Sequence, residues 1–281
     1  MTVKISIAVP SYNYFQYLED CLNSIRAQDY GNFEVLIADG GSTDGSLDII
    51  KLICKEDNRF RLVSTSDMGQ PDAVVKALSQ ATGDILGFLN ADDCYLCRDA
   101  LSSVAQAFYA YPRADLVSFT GYYLDSQGRY IKPIRYRYHP LDSFDLMRYR
   151  TAVIQPATFW KRIVLETVPI RLDFHYSFDS VFFYEVYNHF TFVELSKPIA
   201  GYRLHGINKS VLIISKRIFE IARFERLKFG SRSLRSLYLV LIGCIIRLLE
   251  KLPVLGAPLC KLIYKIVNLL AFITIYRLPG I

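Results

Sequence analysis

The sequence predicts a doubly wound α/β fold built on a mostly parallel sheet, and three observations carry that prediction. Over the first 110 residues, short apolar runs alternate with segments of helical periodicity, the signature of successive βα units. The run Ile85-Leu86-Gly87-Phe88-Leu89 is apolar on both faces, as an inner strand of a parallel sheet requires. It leads directly into Asn90-Ala91-Asp92-Asp93, placing two adjacent carboxylates at the carboxyl edge, where open α/β sheets bind ligands.

Each element has its own signal. Ile5 to Val9 reads as the first strand. Asn13 stands where a side chain caps a helix, and Leu18, Cys21, Leu22 and Ile25 follow at helical spacing. Phe33 to Ala38 is a second strand ending at Asp39, and Ser42-Thr43-Asp44 offers capping oxygens to a helix carrying Ile49, Ile50 and Ile53. Arg61 to Ser64 is a short third strand. Asp72 precedes a helix bearing Ala73, Val74, Ala77 and Leu78, which Gly83 closes. The fourth strand then delivers Asp92 and Asp93. After a helix around Leu101 to Tyr109 the pattern changes. Strands at Asp115 to Leu124 and Tyr130 to Ile134 flank Ser126-Gln127-Gly128, a hairpin signal. A mixed β region and further helices, one over Val181 to Val186, continue to about residue 205.

At 281 residues the chain has length enough for a full core. Its charge is uneven. From Val211 onward twelve Lys/Arg face three Asp/Glu, a net +9, whereas residues 1–210 carry −3. The tail therefore meets different surroundings from the body. Ser215 to Gly230 is basic and amphipathic; Leu234 to Ile246 and Leu262 to Tyr276 are apolar, but neither reaches about 18 uncharged residues. Arg247, Lys251, Lys261 and Lys265 interrupt these runs, and Pro253 and Pro258 break the middle. Such a helical, hydrophobic and basic tail suits the interface of an anionic membrane. The start shows no basic, apolar and cleavable leader pattern, so no secretory signal is expected. The six cysteines fall mostly in apolar periodic segments, which fits a reduced, cytoplasmic chain. Cys94 and Cys97 have no second pair and no suitably spaced His, which disfavours zinc.

Three loops leave the sheet on one side: Pro10-Ser11-Tyr12-Asn13, Asp39-Gly40-Gly41-Ser42-Thr43-Asp44-Gly45-Ser46 and Asn90-Ala91-Asp92-Asp93. The first two open helices, whose N-terminal amides favour anions. The Gly-x-Gly-x-x-Gly turn of dinucleotide folds and the Walker lysine are both absent, which argues against dehydrogenases and ATPases. Basic residues interleave with aliphatic runs rather than with a stacking surface, so no nucleic-acid partner is expected.

In this order, V-P-S-Y-N (9–13), A-D-G-G-S-T-D-G-S (38–46), M-G-Q-P-D-A (68–73), A-T-G-D-I (81–85), L-N-A-D-D (89–93), I-Q-P-A-T-F (154–159), H-Y-S-F-D (175–179) and Y-R-L-H (202–205) resemble the family 2 glycosyltransferases, inverting nucleotide-sugar transferases with a GT-A fold. The resemblance covers roughly residues 3–210. It implies a catalytic domain over 1–210, with a nucleotide-binding part to about 112 and an acceptor part from about 113, followed by the tail at 211–281. It implies that Pro10, Ser11, Tyr12, Asn13, Asp39, Gln70, Asp72, Asn90, Ala91 and Asp92 surround the nucleotide, with Asp39 on the uracil. It implies that Asp93, with Asp92 and His205, holds a divalent metal, Mn²⁺ or Mg²⁺, and that Gln155, Arg203 and His205 meet acceptor or diphosphate. Asn90 stands where the family's metal motif usually begins with Asp, and Gly40 where its second loop often has a second Asp.

An inverting transfer needs one carboxylate to take the proton of the acceptor hydroxyl. The resemblance gives that role to Asp179, with Asp173 as competitor; by itself, a carboxylate at such a junction also reads as a helix cap. The implied activity is metal-dependent transfer from a nucleotide-sugar, a UDP-sugar by this pattern, to a glycan or lipid-linked acceptor in polysaccharide or glycolipid synthesis. The implied location is cytoplasmic, peripheral on the inner face of the cell membrane. The alternative is a non-catalytic scaffold of the same fold on a membrane assembly, against which stands the retention of Asp39, Asp92, Asp93 and Asp179.

Overall fold

A computed structural model describes residues 2–134, 153–187, 189–205, 214–230 and 234–249. The chain divides into two compact units, residues 1–142 with 150–205, and 143–149 with 206–281.

In the first unit β1 (Ile5–Ser11), α1 (Phe15–Arg26), β2 (Phe33–Asp39), α2 (Ser46–Glu56), β3 (Phe60–Ser64), α3 (Gln70–Ser79) and β4 (Ile85–Phe88) follow one another as the periodicity predicts. A short β5 (Cys94–Tyr95) and α4 (Ala100–Ala110) precede the hairpin of β6 (Leu116–Leu124) and β7 (Tyr130–Ile134). A 3₁₀ turn at Gln155–Ala157 then opens β8 (Thr158–Lys161), α5 (Arg162–Thr167), α6 (Phe178–Tyr187) and β9 (Phe192–Arg203). The strands form one mixed sheet in the order β3-β2-β1-β4-β8-β6-β9-β5, with β7 paired to β6.

Pairing decides what meets at the carboxyl edge. β1 runs parallel to β2 and β4. β8 is antiparallel to β4, so its first residues lie beside the end of β4. β6 is antiparallel to β8, and β9 is parallel to β6. The ends of β1, β2, β4, β6 and β9 and the beginning of β8 therefore share one edge. Ile5, Ile7, Val9, Val35 and Ile37 pack with Leu18, Leu22, Ile25, Ile50 and Ile53 in the main core, which fixes those strand ends through the burial of apolar surface.

Several local expectations are revised. Asn13 does not cap α1. It adopts a left-handed backbone (φ 55°), and its Oδ1 accepts from Thr43 N at 2.9 Å. Tyr14 occupies the N-cap without a side-chain cap. The Asn13, Tyr14 and Phe15 amides are taken by Ser42 Oγ (2.8 Å), Ser46 Oγ (3.2 Å) and Asp44 Oδ2 (2.9 Å). The amides leading into α1, through that of Phe15, are therefore taken by the neighbouring loop. Asp44 does serve α2, accepting from Ser46 N at 3.0 Å. α3 begins at Gln70, so Asp72 lies inside its first turn. That helix ends at Ser79, four residues before Gly83. Gly83 answers a steric need instead, since a Cβ there would stand 2.7 Å from Lys4 O and 2.8 Å from Ser6 N.

The second unit contains α7 (Ile214–Phe229) and α8 (Leu234–Leu249), which overlap the amphipathic and apolar stretches read from the sequence. Gly230 ends α7 with φ 89°, the left-handed geometry glycine permits after a helix. Ile218, Ile221, Ala222 and Phe224 of α7 and Ile242 and Ile246 of α8 are buried. Gly243 lies against Phe219, where a Cβ would come within 2.8 Å of the ring. Among the described residues no helix is long and apolar enough to cross a membrane. The run from Leu262 to Tyr276 and the break at Pro253 and Pro258 lie outside the described residues.

Candidate active site

The edge shared by these strand ends gathers most of the residues singled out from the sequence. Pro10 and Ser11 end β1 in register with Ala38 and Asp39 of β2. Asp39 is fully buried. Its Oδ1 accepts from Gly41 N at 3.0 Å and Ser42 N at 2.7 Å, and its Oδ2 from Ser42 Oγ at 2.6 Å. A carboxylate offers about four lone-pair directions, so Asp39 shapes its own loop and retains little more than one for a ligand. Ser11 is buried with its hydroxyl unpaired among the described residues, while the Tyr12 ring is 54% exposed. Gly40 carries no Cβ for a clear reason: that atom would lie 2.9 Å from Asp67 Oδ2 and 3.1 Å from Tyr12 Cδ2. Asp67, on the loop between β3 and α3, fills the space a side chain at position 40 would need.

β4 delivers the acidic pair as its apolar run predicts. Ala91 is fully buried, and Asp92 and Asp93 are buried beside it. The turn closes through Asp93 N to Asn90 O at 3.0 Å. Burial drives the Asp93 carboxyl well above the ordinary carboxylate range, and the neighbouring Asp92 pushes in the same direction. Donors partly offset this, with Arg203 N at 3.0 Å from Asp93 Oδ1 and Asn90 Nδ2 at 3.3 Å from Oδ2. Asp92 Oδ2 lies 3.0 Å from His205 Nε2. The Tyr14 hydroxyl is held far above its usual range, first by burial and then by Asp92 and Asp93.

The end of β9 closes the group. Tyr17 of α1 lies between two residues of the Tyr-Arg-Leu-His segment, stacked on the His205 ring at 4.6 Å and under the Arg203 guanidinium at 5.0 Å. Arg203 is 3% exposed. It donates Nε to Asp92 O at 2.9 Å and Nη1 to Ser126 O at 3.4 Å, and pairs with Asp20 at 3.2 Å. Its guanidinium is thus directed at protein acceptors. Tyr14 at the N-cap and Tyr17 and Asp20 within α1, at intervals of three residues, were not singled out from the sequence. Their spacing and polar tips next to a ligand edge were the available signal.

Gln70 and Gln155 converge on Asn90. Gln70 Nε2 donates to Asn90 Oδ1 at 2.7 Å, and Asn90 Nδ2 to Gln155 Oε1 at 3.0 Å. Asp72 is turned inward, accepting from Met68 N at 2.9 Å and pairing with Lys76 at 2.8 Å. Asp179 lies in the first turn of α6 rather than capping it, with Ser180 N donating to its Oδ1 at 2.7 Å. Its neighbour Phe178 packs on Phe88 at 5.8 Å, which holds the start of α6 over the end of β4. Asp173 is exposed and paired with Arg171 at 2.8 Å. His175 Nδ1 lies 3.3 Å from where a Gly69 Cβ would stand, so the segment before α6 reaches the loop before α3.

The chain is similar to known proteins in sequence and in fold. The sequence profile described as "Glycosyl transferase family 2" matches residues 6–168, more than half of the chain. A PGL/p-HBAD biosynthesis glycosyltransferase of Mycobacterium bovis is 31% identical over 164 residues, 58% of this chain and 61% of that protein. The putative teichuronic acid biosynthesis glycosyltransferase TuaG of Bacillus subtilis is 36% identical over 124 residues, 44% of this chain and 48% of that protein. The chain thus spans less than two thirds of the length of these curated relatives. Among solved structures, Staphylococcus aureus TarS 1–349 in complex with UDP-GlcNAc superposes with a TM-score of 0.61 at 19% identity, covering 89% of this chain and 82% of that one. Mannosyltransferase PcManGT of Pyrobaculum calidifontis, in complex with GDP-Man and Mn²⁺, does so with a TM-score of 0.61 at 18% identity, covering 96% and 81%. With a GT-A type mixed sheet and the family's motifs gathered at its carboxyl edge, the chain belongs to glycosyl transferase family 2.

Proposed function

We propose that the chain is an inverting glycosyltransferase that moves a sugar from a UDP-sugar to a hydroxyl of a glycan or lipid-linked acceptor, in polysaccharide or glycolipid synthesis. The observation that carries this reading is the meeting of Asp92, Asp93 and His205 with the ends of β1 and β2 at one edge. Complexes of structural neighbours with UDP-GlcNAc and GDP-Man support a nucleotide-sugar donor.

A divalent cation fits the donor chemistry. Asp92 and Asp93 are buried side by side with the repulsion of two carboxylates only partly offset, and Mn²⁺ or Mg²⁺ commonly binds through one or two carboxylates together with substrate phosphates. Among the described residues no three His, Cys, Asp or Glu side chains converge as a metal-holding group; Asp92 and Asp93 would hold the ion together with donor phosphates, with His205 against Asp92 at 3.0 Å, and when bound it would stabilise the charge of the departing diphosphate. In this reading the loop ends at Ser11, Tyr12 and Asp39 enclose the base. Asp179, on the first turn of α6, accepts the proton of the attacking hydroxyl. Replacing Asp93 by Ala tests the assignment. Transfer and donor hydrolysis should fall in Mn²⁺, and equal rates in wild type and variant would remove Asp93 from the site.

We further propose that the second unit lies on the inner face of an anionic membrane. Leu237, Leu241, Ile245 and Leu248 form an exposed apolar stripe along α8, at the spacing of one helical face. With the net +9 of residues 211–281, this is the pattern of an interfacial helix. A lipid-linked acceptor would be presented at the same surface.

A further inference from the structure

Tyr202, Tyr123 and Lys132 stand side by side on three neighbouring strands. Tyr123 of β6 is in register with Tyr202 of β9 on one side and Lys132 of β7 on the other. Residues directly opposite one another project from the same face of a sheet, and here the side chains meet. The Tyr123 and Tyr202 rings pack edge to face at 5.8 Å, and the Lys132 ammonium lies 5.5 Å from the centre of the Tyr123 ring. With strands about 4.8 Å apart, the row spans about 10 Å. None of the three is core: both tyrosines are half-buried and Lys132 is exposed. β7 buries neither face from Tyr130 to Pro133, although a strand of an antiparallel pair ordinarily covers one. The inner end of the row lies at the site. Tyr202 precedes Arg203, whose amide donates to Asp93 Oδ1 at 3.0 Å. Tyr202 also follows burial, Asp92 and Asp93 among the causes that raise the Tyr14 hydroxyl.

We infer that this row is an acceptor subsite, where sugar rings lie against Tyr123 and Tyr202 and a phosphate or carboxylate of the same acceptor meets Lys132. The inference rests on the glycosyl-transfer reading above and names the acceptor class, an anionic saccharide. Its place in the sheet separates it from the donor. In the order β3-β2-β1-β4-β8-β6-β9, the base is assigned to the ends of β1 and β2, whereas the row lies beyond β8. Its chemistry suits a saccharide. Tyrosine presents an apolar ring with a polar tip, matching a sugar's carbon-bound hydrogens and its hydroxyls. Lys132 supplies the charge. Among the described residues no carboxylate pairs with it, and its ammonium stands over the Tyr123 ring instead, leaving its donors for an anion.

Ligand-observed NMR titrations of the whole chain with saturating UDP test this with three probes of matched size. They are N,N′-diacetylchitobiose, its 1-phosphate, and the disaccharide of glucuronic acid and N-acetylglucosamine. In wild type at least one charged probe should bind about tenfold tighter than the neutral one, and the phosphate and uronate arms identify which anion the subsite takes. Lys132→Ala should bring charged and neutral probes within about twofold of each other. Tyr123→Ala should weaken all three by about fivefold. Melting curves establish that each variant folds; the wild-type and Lys132→Ala arms decide the matter if Tyr123→Ala does not. The inference is overturned if no probe binds, if charged and neutral probes bind wild type alike, or if Lys132→Ala keeps the preference. Protein that binds UDP but gives any of these results loses this inference alone. Protein that does not bind UDP loses the nucleotide-sugar reading as well.

Discussion

Asp39 is the residue at which fold and ligand demands compete most directly, and two substitutions separate them. Asp39→Ala deletes the acceptor of Gly41 N, Ser42 N and Ser42 Oγ at 3.0, 2.7 and 2.6 Å. Leaving a buried amide without an acceptor costs about 1–3 kcal/mol. Here Gly41 is exposed and Ser42 half-buried, so water can reach the freed amides and the lower bound applies, about 2 kcal/mol for the pair. For a chain of this size that corresponds to a fall of roughly 4–8 °C in the melting temperature. Asp39→Asn keeps Oδ1 for both amides, and Ser42 Oγ can rotate to accept from the new Nδ2, so its melting temperature should stay close to wild type. Nucleotide binding should behave differently. If the remaining lone pair of Asp39 accepts a base N–H, Asn presents a donor there instead, and UDP affinity should fall by about tenfold in both variants. Calorimetric melting and UDP titration give the two readouts. Because the contact is made equally in ground and transition states, the apparent KM should rise with little change in kcat. An Asp39→Ala protein that melts with wild type would refute the loop argument. An Asp39→Asn protein with unchanged UDP affinity would refute the base contact.

Three other predictions follow from the same structure. Asp179→Asn should bind UDP like wild type while losing roughly 10²–10⁴-fold in transfer rate; near wild-type transfer would move the base elsewhere, with Asp173 the next to replace. Glu34 links pH to stability. Burial alone would raise its carboxyl, but hydrogen bonds from Ser6 and Thr82, with Lys4 nearby, outweigh that and hold it at about 2. A folded value below the unfolded one contributes stability above about pH 4.3, lost as pH falls toward 2. Urea titrations across that window should therefore show wild type losing more stability than Glu34→Gln, and parallel losses would contradict the assignment. Finally, the whole chain should sediment with anionic vesicles at low salt, and Leu241→Glu with Leu248→Glu should release it; a chain that stays in the supernatant with such vesicles has no interfacial tail.

What the sequence made legible was periodic and local. The two-sided apolar run at 85–89 placed β4 inside the sheet and the Asp92-Asp93 pair at its end. Ser126-Gln127-Gly128 marked a real turn, with Gly128 at φ 78°. Partnerships between distant segments were not legible. Glu34 is the second residue of an otherwise apolar strand, and it is buried with Ser6 and Thr82 donating to it. Tyr17 falls on the apolar face of α1 and reads as core, which it is in burial but not in partners, since it contacts His205 and Arg203 from the far end of the domain. No periodicity reports a pairing between residues 17 and 203.

The same limit bears on the anion-binding reading of the first two loops. Counting helix starts near a ligand edge assumes that their amides have no better partner. In this chain the loop after β2 carries Ser42, Asp44 and Ser46, and all three accept from residues 13–15, while Asn13 returns the bond by accepting from Thr43 N. The two loops thereby cap one another, so the polar residues whose types suggested ligand contact hold the edge in shape. The Tyr12 ring, the Ser11 hydroxyl and the second oxygen of Asp67 stand outside this mutual capping. A residue type at a ligand edge therefore indicates contact only after its bonds within the protein have been subtracted. Asn13, Asp72 and Gln155 are engaged in this way within the protein, while burial, with Asp92 alongside, still holds the Asp93 carboxyl above the ordinary carboxylate range.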